Sequence, residues 1–393
     1  MAKDHLGEVD YLRVFALITI VVIHSMGYFF SIPGGNPISH AFQGLAINML
    51  RYGRFVFMFV TGLVFFYSYK DRELKVERFF KRRLKNLVIP YAIWTAVYLL
   101  LGSLSNMFSW SNPIGFVTLW LRSLLNGNAF YHLYYIVVTF QFYIFLPLLL
   151  SIFKPNRQRF WAGILLGGGF FLCIFYYYFL ETKGPQILNL VAGTPWAGIT
   201  DWMLRYKNHL LFSYLPFYLL GGFFGIHLDV CRKWISEHLS LIGPVLLLST
   251  GIVIGEYFFF YRYLGQTWNL TVSVFKPSIY IYSLSIIAVI FWLSSIMESR
   301  GSLKVFIKIL SANSLGIYLM HPAILFLLHS LYWNLALPGY LLVILDPVAA
   351  IAISCFITLL FGSNKYTRFI IGEAGNTRLQ RNLGLFKYLK NVS

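Results

Sequence analysis

The chain has 393 residues, of which 58% are hydrophobic and only 12% charged, against about 25% charged in an ordinary soluble domain. A mean hydropathy of +0.67 and repeated apolar runs of about 20 residues, the length a helix needs to cross roughly 30 Å of hydrocarbon, exclude a soluble globule, a disordered chain and a secreted disulfide scaffold. Lys+Arg 32 against Asp+Glu 14 gives a formal charge of +18, but the basic residues form short runs beside apolar segments. That is how topology is set in a membrane protein, not how a nucleic-acid face is built.

Runs such as 55–67 and 348–360 are apolar on all sides, whereas a membrane β-barrel alternates over segments of about ten residues. An all-α polytopic bundle is therefore expected, with about ten spans at 10–30, 53–69, 87–103, 131–153, 160–180, 210–228, 240–260, 277–297, 312–333 and 340–362. The division is a transmembrane domain over 1–363 and a basic tail over 364–393 that rests on the anionic inner leaflet. Loops following even-numbered spans collect Lys and Arg, 70–85 above all, while 31–43 and 334–339 have none, which predicts an N-in, C-in topology.

The first span is not read as a cleaved signal, because it carries Arg13 and His24 inside it and lacks a small-residue cleavage site before Phe29. Ionisable groups in hydrocarbon are costly, so each is a functional candidate by default. Arg13 and His24 are eleven residues apart, about three helical turns, and share one face with His24 roughly 16 Å further along. The plain alternatives are an arginine snorkelling to lipid phosphate and a hydrogen-bonded core histidine. Arg51 and Arg54 flank the start of the second span, where they snorkel or meet a polar or anionic acceptor. The run 77–91, ERFFKRRLKNLVIPY, leads into the third span. It is either a solvated topogenic loop or, through Arg78, Arg82, Arg83 and Lys85, a seat for a polyanionic, nucleotide-linked donor.

Between the third and fourth spans, an amphipathic stretch at 115–125 is expected to lie on the surface. The fourth span places His132 at its outer edge and embeds Gln141, either as polar glue between helices or as a substrate contact. The segment 181–209 reads as a partly ordered loop. In the ninth span Ser314, Tyr318 and His321 fall at i, i+4 and i+7 on one face, and Pro322 loosens the helix there. A stripe of this kind serves either interhelical hydrogen bonding or catalysis, and His321 is expected at nearly the depth of His24. His329, nearer the outer boundary, lacks a second histidine at its depth and reads as interfacial, and Glu256 and Asp346 near span ends stand isolated. Cys173, Cys231 and Cys355 show neither metal spacing nor a disulfide framework, and HExxH, Walker and GxSxG patterns are absent.

Five pieces in order resemble the membrane acyltransferase 3 family: DYLRVFALITIVVIHS at 10–25, FVFMFVTGLVFF at 55–66, KRRLKNLVIPY at 81–91, HLYYIVVTFQFYIFLP at 132–147 and SLGIYLMHP at 314–322. The pattern is most similar to the polysaccharide-modifying branch that includes the intercellular adhesin O-succinyltransferases. The chain departs from the family in having Arg83-x-x-Asn86 for Arg-x-x-Arg, Thr61 for the serine before Gly62, and no acidic residue before Gln141. The resemblance implies a multi-pass protein of the bacterial cytoplasmic membrane that passes an acetyl or succinyl group from cytosolic acyl-CoA to a hydroxyl of an extracytoplasmic glycan or lipid-linked sugar. In that reading Arg13 and the 78–85 cluster hold the donor phosphates, His24 is general base or acyl acceptor, and Tyr318 and His321 orient it or steady the oxyanion. Arg51, Arg54, His132, Gln141 and Ser314 line the acceptor side. No metal is implied. The competing classes are a flippase or exporter of polysaccharide or polyprenyl-linked sugar, and a membrane subunit that uses its histidines as a pH switch.

Overall fold

The computed structural model describes residues 5–30, 37–104, 112–152, 158–263, 271–301, 303–332 and 339–372. The expectations for the loop 31–36, for 334–338 and for the tail beyond 372 lie outside the described residues. Those residues are helical throughout most of their length, with no strand among them.

In chain order the helices are α1 (Gly7–Phe30), α2 (Pro37–Leu50), α3 (Tyr52–Tyr69), α4 (Val76–Arg83), α5 (Ile89–Leu104), α6 (Pro113–Asn126) and α7 (Tyr134–Ile152). They continue with α8 (Gln158–Gly163), α9 (Gly169–Phe175), α10 (Gly184–Leu190), α11 (Ala197–Arg205), α12 (Leu215–Ile226), α13 (Leu228–Glu237) and α14 (Leu239–Phe258). The last four are α15 (Pro277–Arg300), α16 (Lys304–Ala312), α17 (Ser314–Tyr332) and α18 (Gly339–Ser363). Local chemistry sets several ends. Asn112 caps α6 by accepting from the Gly115 amide at 2.8 Å, Pro113 opens it, and left-handed Gly127 closes it. Pro277 opens α15, and left-handed Gly301 ends it.

Among the described residues eight helical segments are long and apolar enough to cross a membrane: 7–28, 40–69, 76–104, 134–151, 239–262, 277–300, 314–331 and 342–363. The expected bundle is present, but two of the ten segments differ. Residues 210–228 supply only the 12-residue α12, about 18 Å long. Residues 158–182 alternate α-helix with wider π-turns at Ile164–Gly168 and Tyr176–Thr182. The second span starts earlier than expected, because α2 and α3 join at Arg51 into one stretch from His40 to Tyr69.

The chain forms two compact units, residues 1–73 with 141–302 and residues 74–140 with 303–393. In the first, α3 and α12 pack backbone to backbone. A Cβ added at Gly62 would lie 2.0 Å from the Tyr218 carbonyl oxygen, one at Gly221 1.9 Å from that of Phe59, and one at Gly225 2.4 Å from that of Leu63. Gly221 and Gly225, four residues apart, give the small-xxx-small approach that membrane helices use where no hydrophobic drive exists between them. Stacked rings flank the seam, Phe55 on Phe217 at 4.2 Å and Phe142 on Tyr218 at 3.9 Å. Gly53 likewise lets α3 close on α1, since its Cβ would meet Thr19 at 2.8 Å. In the second unit α17 lies against α18, and Tyr98 of α5 donates to the Leu319 carbonyl at 2.6 Å. After α18 the chain turns back so that the Trp94 indole donates to the Ile370 carbonyl at 3.1 Å and Gly372, at φ 78°, passes against the Asn86 carbonyl.

Candidate functional site

Helix α1 is unbroken from Gly7 to Phe30, so the eleven-residue interval between Arg13 and His24 spans about 16 Å on one face. Both side chains are half-buried. They are neither fully exposed nor sealed in the core, and both belong to the first unit. Tyr52 and Thr19 hydroxyls lie 3.3 Å apart where α3 meets α1.

Arg51 and Arg54 are not at the start of a span. They sit eleven and fourteen residues into the helical stretch that begins at His40, both half-buried. Near Arg51 lies a polar cluster that sequence reasoning missed. Lys276 is 1% exposed, donates to the Thr271 carbonyl at 2.9 Å, lies 4.2 Å from the Phe260 ring centroid and stands 3.8 Å from the Glu256 carboxylate. Ser278 also donates to Glu256. Burial holds the Lys276 ammonium below the usual lysine range, Glu256 opposes that shift, and the charge of Arg51 adds to it. Glu256 is thus not isolated. The signal available in sequence was a carboxylate inside one span and a lysine directly before the proline that opens the next.

Buried polar atoms gather on the helices around this region. Ser25 Oγ on α1, Asn48 Oδ1 on α2 and Ser283 Oγ on α15 are enclosed, with no hydrogen-bond partner among the described residues. Most buried polar atoms in proteins are satisfied, so three on α1 and on the two helices packed against it, α2 and α15, mark an interior suited to hydroxyl-bearing groups. Gln141 is used differently. Its amide donates to the His209 carbonyl at 2.9 Å and accepts from the Leu211 amide at 2.8 Å, tying α7 to the loop at 209–211.

The second unit brings together three residues from two distant stretches of sequence. Tyr318 donates to the His132 carbonyl, and the His132 and His321 rings lie 5.5 Å apart, centroid to centroid. His132 is 1% exposed, His321 0% and Tyr318 5%, and His132 stands two residues before the membrane-length stretch that opens at Tyr134. Its position in the turn before α7 packs it edge-on to Tyr98 at 5.0 Å. His321 Nδ1 lies 3.2 Å from the Ile317 carbonyl; donation there places the lone pair on Nε2. Pro322 inside α17 lacks the amide that the Tyr318 carbonyl would otherwise receive. Ser314 opens α17 and is half-buried. His321 thus meets the imidazole of His132 within its own unit.

His329 is not partnerless. Its Nε2 lies 2.8 Å from Oδ2 of Asp346, which is fully buried in α18 just before Pro347. On α4 and the turn that follows it, Arg78, Arg82 and Lys85 are exposed and Arg83 half-buried with its guanidinium 5.3 Å from the Phe79 ring. A π-turn, Leu84–Val88, joins α4 to α5 there. Lys81 is held by Glu77 at 2.6 Å on the surface, and no cluster of metal-ligating side chains occurs among the described residues.

The chain is similar to the probable poly-beta-1,6-N-acetyl-D-glucosamine export proteins of Staphylococcus aureus strains MSSA476 and MRSA252, 26% identical over 327 residues that cover 81% of this chain and 82% of each relative. No solved structure matches it. The family described as an acyltransferase domain matches residues 6–363. With the first-span Arg and His on one helical face and the α3 glycine explained by its contact with α12, this match shows that the chain belongs to the membrane acyltransferase 3 family.

Proposed function

We propose that this multi-pass membrane protein transfers an acyl group from acyl-CoA, acetyl or succinyl, to a hydroxyl of an extracytoplasmic glycan or lipid-linked sugar. The observation that carries the reading is the single face of α1, where a permanent cation and a titratable imidazole stand about 16 Å apart and half-buried within a domain of an acyltransferase family. Arg13 binds the donor phosphates at the cytosolic side, because a guanidinium pairs with phosphate by charge-assisted hydrogen bonds; in the second unit the exposed Arg78, Arg82 and Lys85, with Arg83, offer the same chemistry to a polyanionic donor. His24 accepts the hydroxyl proton as the new C–O bond forms and the thioester C–S bond breaks, then returns that proton to the departing thiolate. Attack by His24 itself, giving an acyl-imidazole, is the alternative order of the same exchange. The enclosed Ser25, Asn48 and Ser283 oxygens, with Arg51 and Arg54, favour a hydroxyl-rich acceptor. Tyr318, His321 and His132 form a buried support for α17; their part is positioning.

The test uses the purified protein in vesicles with labelled acetyl-CoA and succinyl-CoA and glycan acceptors. Wild type is expected to form labelled ester, His24→Ala to bind donor but lose transfer by at least about a hundredfold, and Arg13→Ala to lose donor binding. Wild type that turns over neither donor with any glycan refutes the enzyme assignment. A second reading has one observation behind it, the similarity to staphylococcal proteins named as probable exporters of poly-beta-1,6-N-acetyl-D-glucosamine. If export without acyl transfer is the function, His24→Ala leaves the ester content of the glycan unchanged while export persists.

A further inference from the structure

Within the first unit a lateral cavity of about 530 Å³ opens between α13, the C-terminal half of α15 and the start of α1. Its lining is graded. Glu8, Asp229, Arg232 and Lys233 stand at one end, and Phe291, Trp292, Ile296 and Ile235 form the wall. Trp292 lies eight residues before Arg300, the end of the apolar span, hence about 12 Å into it. The groove therefore runs from the membrane–water boundary into hydrocarbon depth. Helix α13 itself has the character of an interfacial helix. It buries Leu228, Cys231 and Ile235 while Val230 and Trp234, 57% and 50% exposed, project outward.

The charges at the polar end cancel, two cations against two carboxylates. Arg232 donates to Glu8 at 2.6 Å and to Asp229 at 2.9 Å, its enclosed Nε–H has no hydrogen-bond partner among the described residues, and Lys233 is held only loosely, 3.8 Å from Glu237. The three serines of the lining spend their protons on their own helices: Ser236 on the Lys233 carbonyl at 2.8 Å, Ser295 on that of Phe291 at 3.1 Å and Ser299 on that of Ile296 at 2.8 Å. Toward the groove they offer acceptor oxygens. A ligand matched to this lining has an anion for Arg232 and Lys233, a hydrogen-bond-donating cation for the carboxylates and serine oxygens, and an apolar tail for Trp292 and Ile296. An anionic lipid without an amine, such as phosphatidylglycerol, supplies no such donor cation, one that adds a carboxylate brings a second anion to a lining whose charges already cancel, and a soluble nucleotide supplies no tail.

We propose that this groove binds a zwitterionic aminophospholipid of the phosphatidylethanolamine type, with its phosphate on Arg232 and Lys233 and its primary ammonium on Glu8, Asp229 and the serine oxygens. The site is separate from the proposed acyl-transfer residues, so it stands or falls independently of them. The test is native mass spectrometry of the delipidated full chain with phosphatidylethanolamine, phosphatidylcholine and phosphatidylglycerol of identical acyl chains. Phosphatidylethanolamine is expected to be retained on the order of tenfold better than either of the others, because methylation removes the ammonium donors and glycerol removes the charge. Ser295→Phe, which fills the groove, and Lys233→Gln at its mouth should abolish the preference. Ser299→Trp at the exposed rim serves the same purpose if Ser295→Phe does not fold. Equal retention of the three lipids, preference for phosphatidylglycerol, or a preference that survives both Ser299→Trp and Lys233→Gln overturns the proposal.

Discussion

Replacing Gly221 by alanine tests the account of how the first unit is held together. The added methyl would lie 1.9 Å from the Phe59 carbonyl oxygen, where real Cβ atoms do not come within 3.0 Å, so α12 and α3 must part by at least 1.1 Å. A gap near 1 Å forfeits up to about half of each dispersion contact of roughly 0.1–0.2 kcal/mol. Over some 40 contacts, about what one buried side chain makes, the loss is on the order of 3 kcal/mol. Alanine returns up to about 1 kcal/mol of helix propensity, leaving a net cost of about 2 kcal/mol, within the usual range for overpacking. The assay is detergent-driven unfolding of the purified protein in mixed micelles, with Gly251→Ala as control. Gly251 lies in α14 with nothing within 4 Å of a Cβ, and alanine there is expected to be neutral or stabilising. If the two variants unfold alike, the backbone seam between α3 and α12 is not what fixes this unit.

In the second unit, Asp346→Ala removes the carboxylate 2.8 Å from the His329 imidazole and is expected to destabilise by roughly 1–3 kcal/mol, whereas the double variant His329→Leu/Asp346→Leu recovers most of the loss in a double-mutant cycle of unfolding. Gly372→Ala strains a φ of 78° and drives a methyl to 2.4 Å from the Asn86 carbonyl oxygen; the expected cost is roughly 1–3 kcal/mol, read as faster tryptic cleavage at Lys365 and Arg368. Burial pushes the Cys231 thiol up to about 12 from 9.0, so its stabilisation is intact below pH 9.0 and is lost as pH rises toward 12. Maleimide should accordingly leave Cys231 unmodified at neutral pH in the folded protein and react once it is unfolded.

Span existence was legible because hydrocarbon imposes a length and a composition, and eight of the ten expected segments meet both among the described residues. The other two differ in helix continuity, which apolarity does not report: 210–228 yields only the 12-residue α12, Leu215–Ile226, and 158–182 alternates α-helix with π-turns at 164–168 and 176–182. The early start of the second span was hidden by Arg51, whose charge marks a boundary in any hydropathy reading although the helix runs on through it. The Arg13/His24 face needed only the 3.6-residue period. So did the common face of Tyr318 and His321, but their neighbour His132 comes from a turn 186 residues from Tyr318, and no periodicity encodes that approach.

The same limit explains the intramembrane charges. Asp346, Glu256, His329 and Lys276 could each be identified from the sequence as an ionisable group in or beside an apolar run, but partnership is a property of two helices. Because an uncompensated buried charge costs far more than a paired one, a lone carboxylate in a span predicts a cation on a neighbouring helix even when neither sequence position names it. Asp346 meets His329 from the preceding helix, and Glu256 meets Lys276 at the start of the following one. In both cases the partner lies one helix away in sequence, across a single connection. The search that finds such pairs from sequence alone therefore runs between the facing ends of consecutive spans rather than along any one of them.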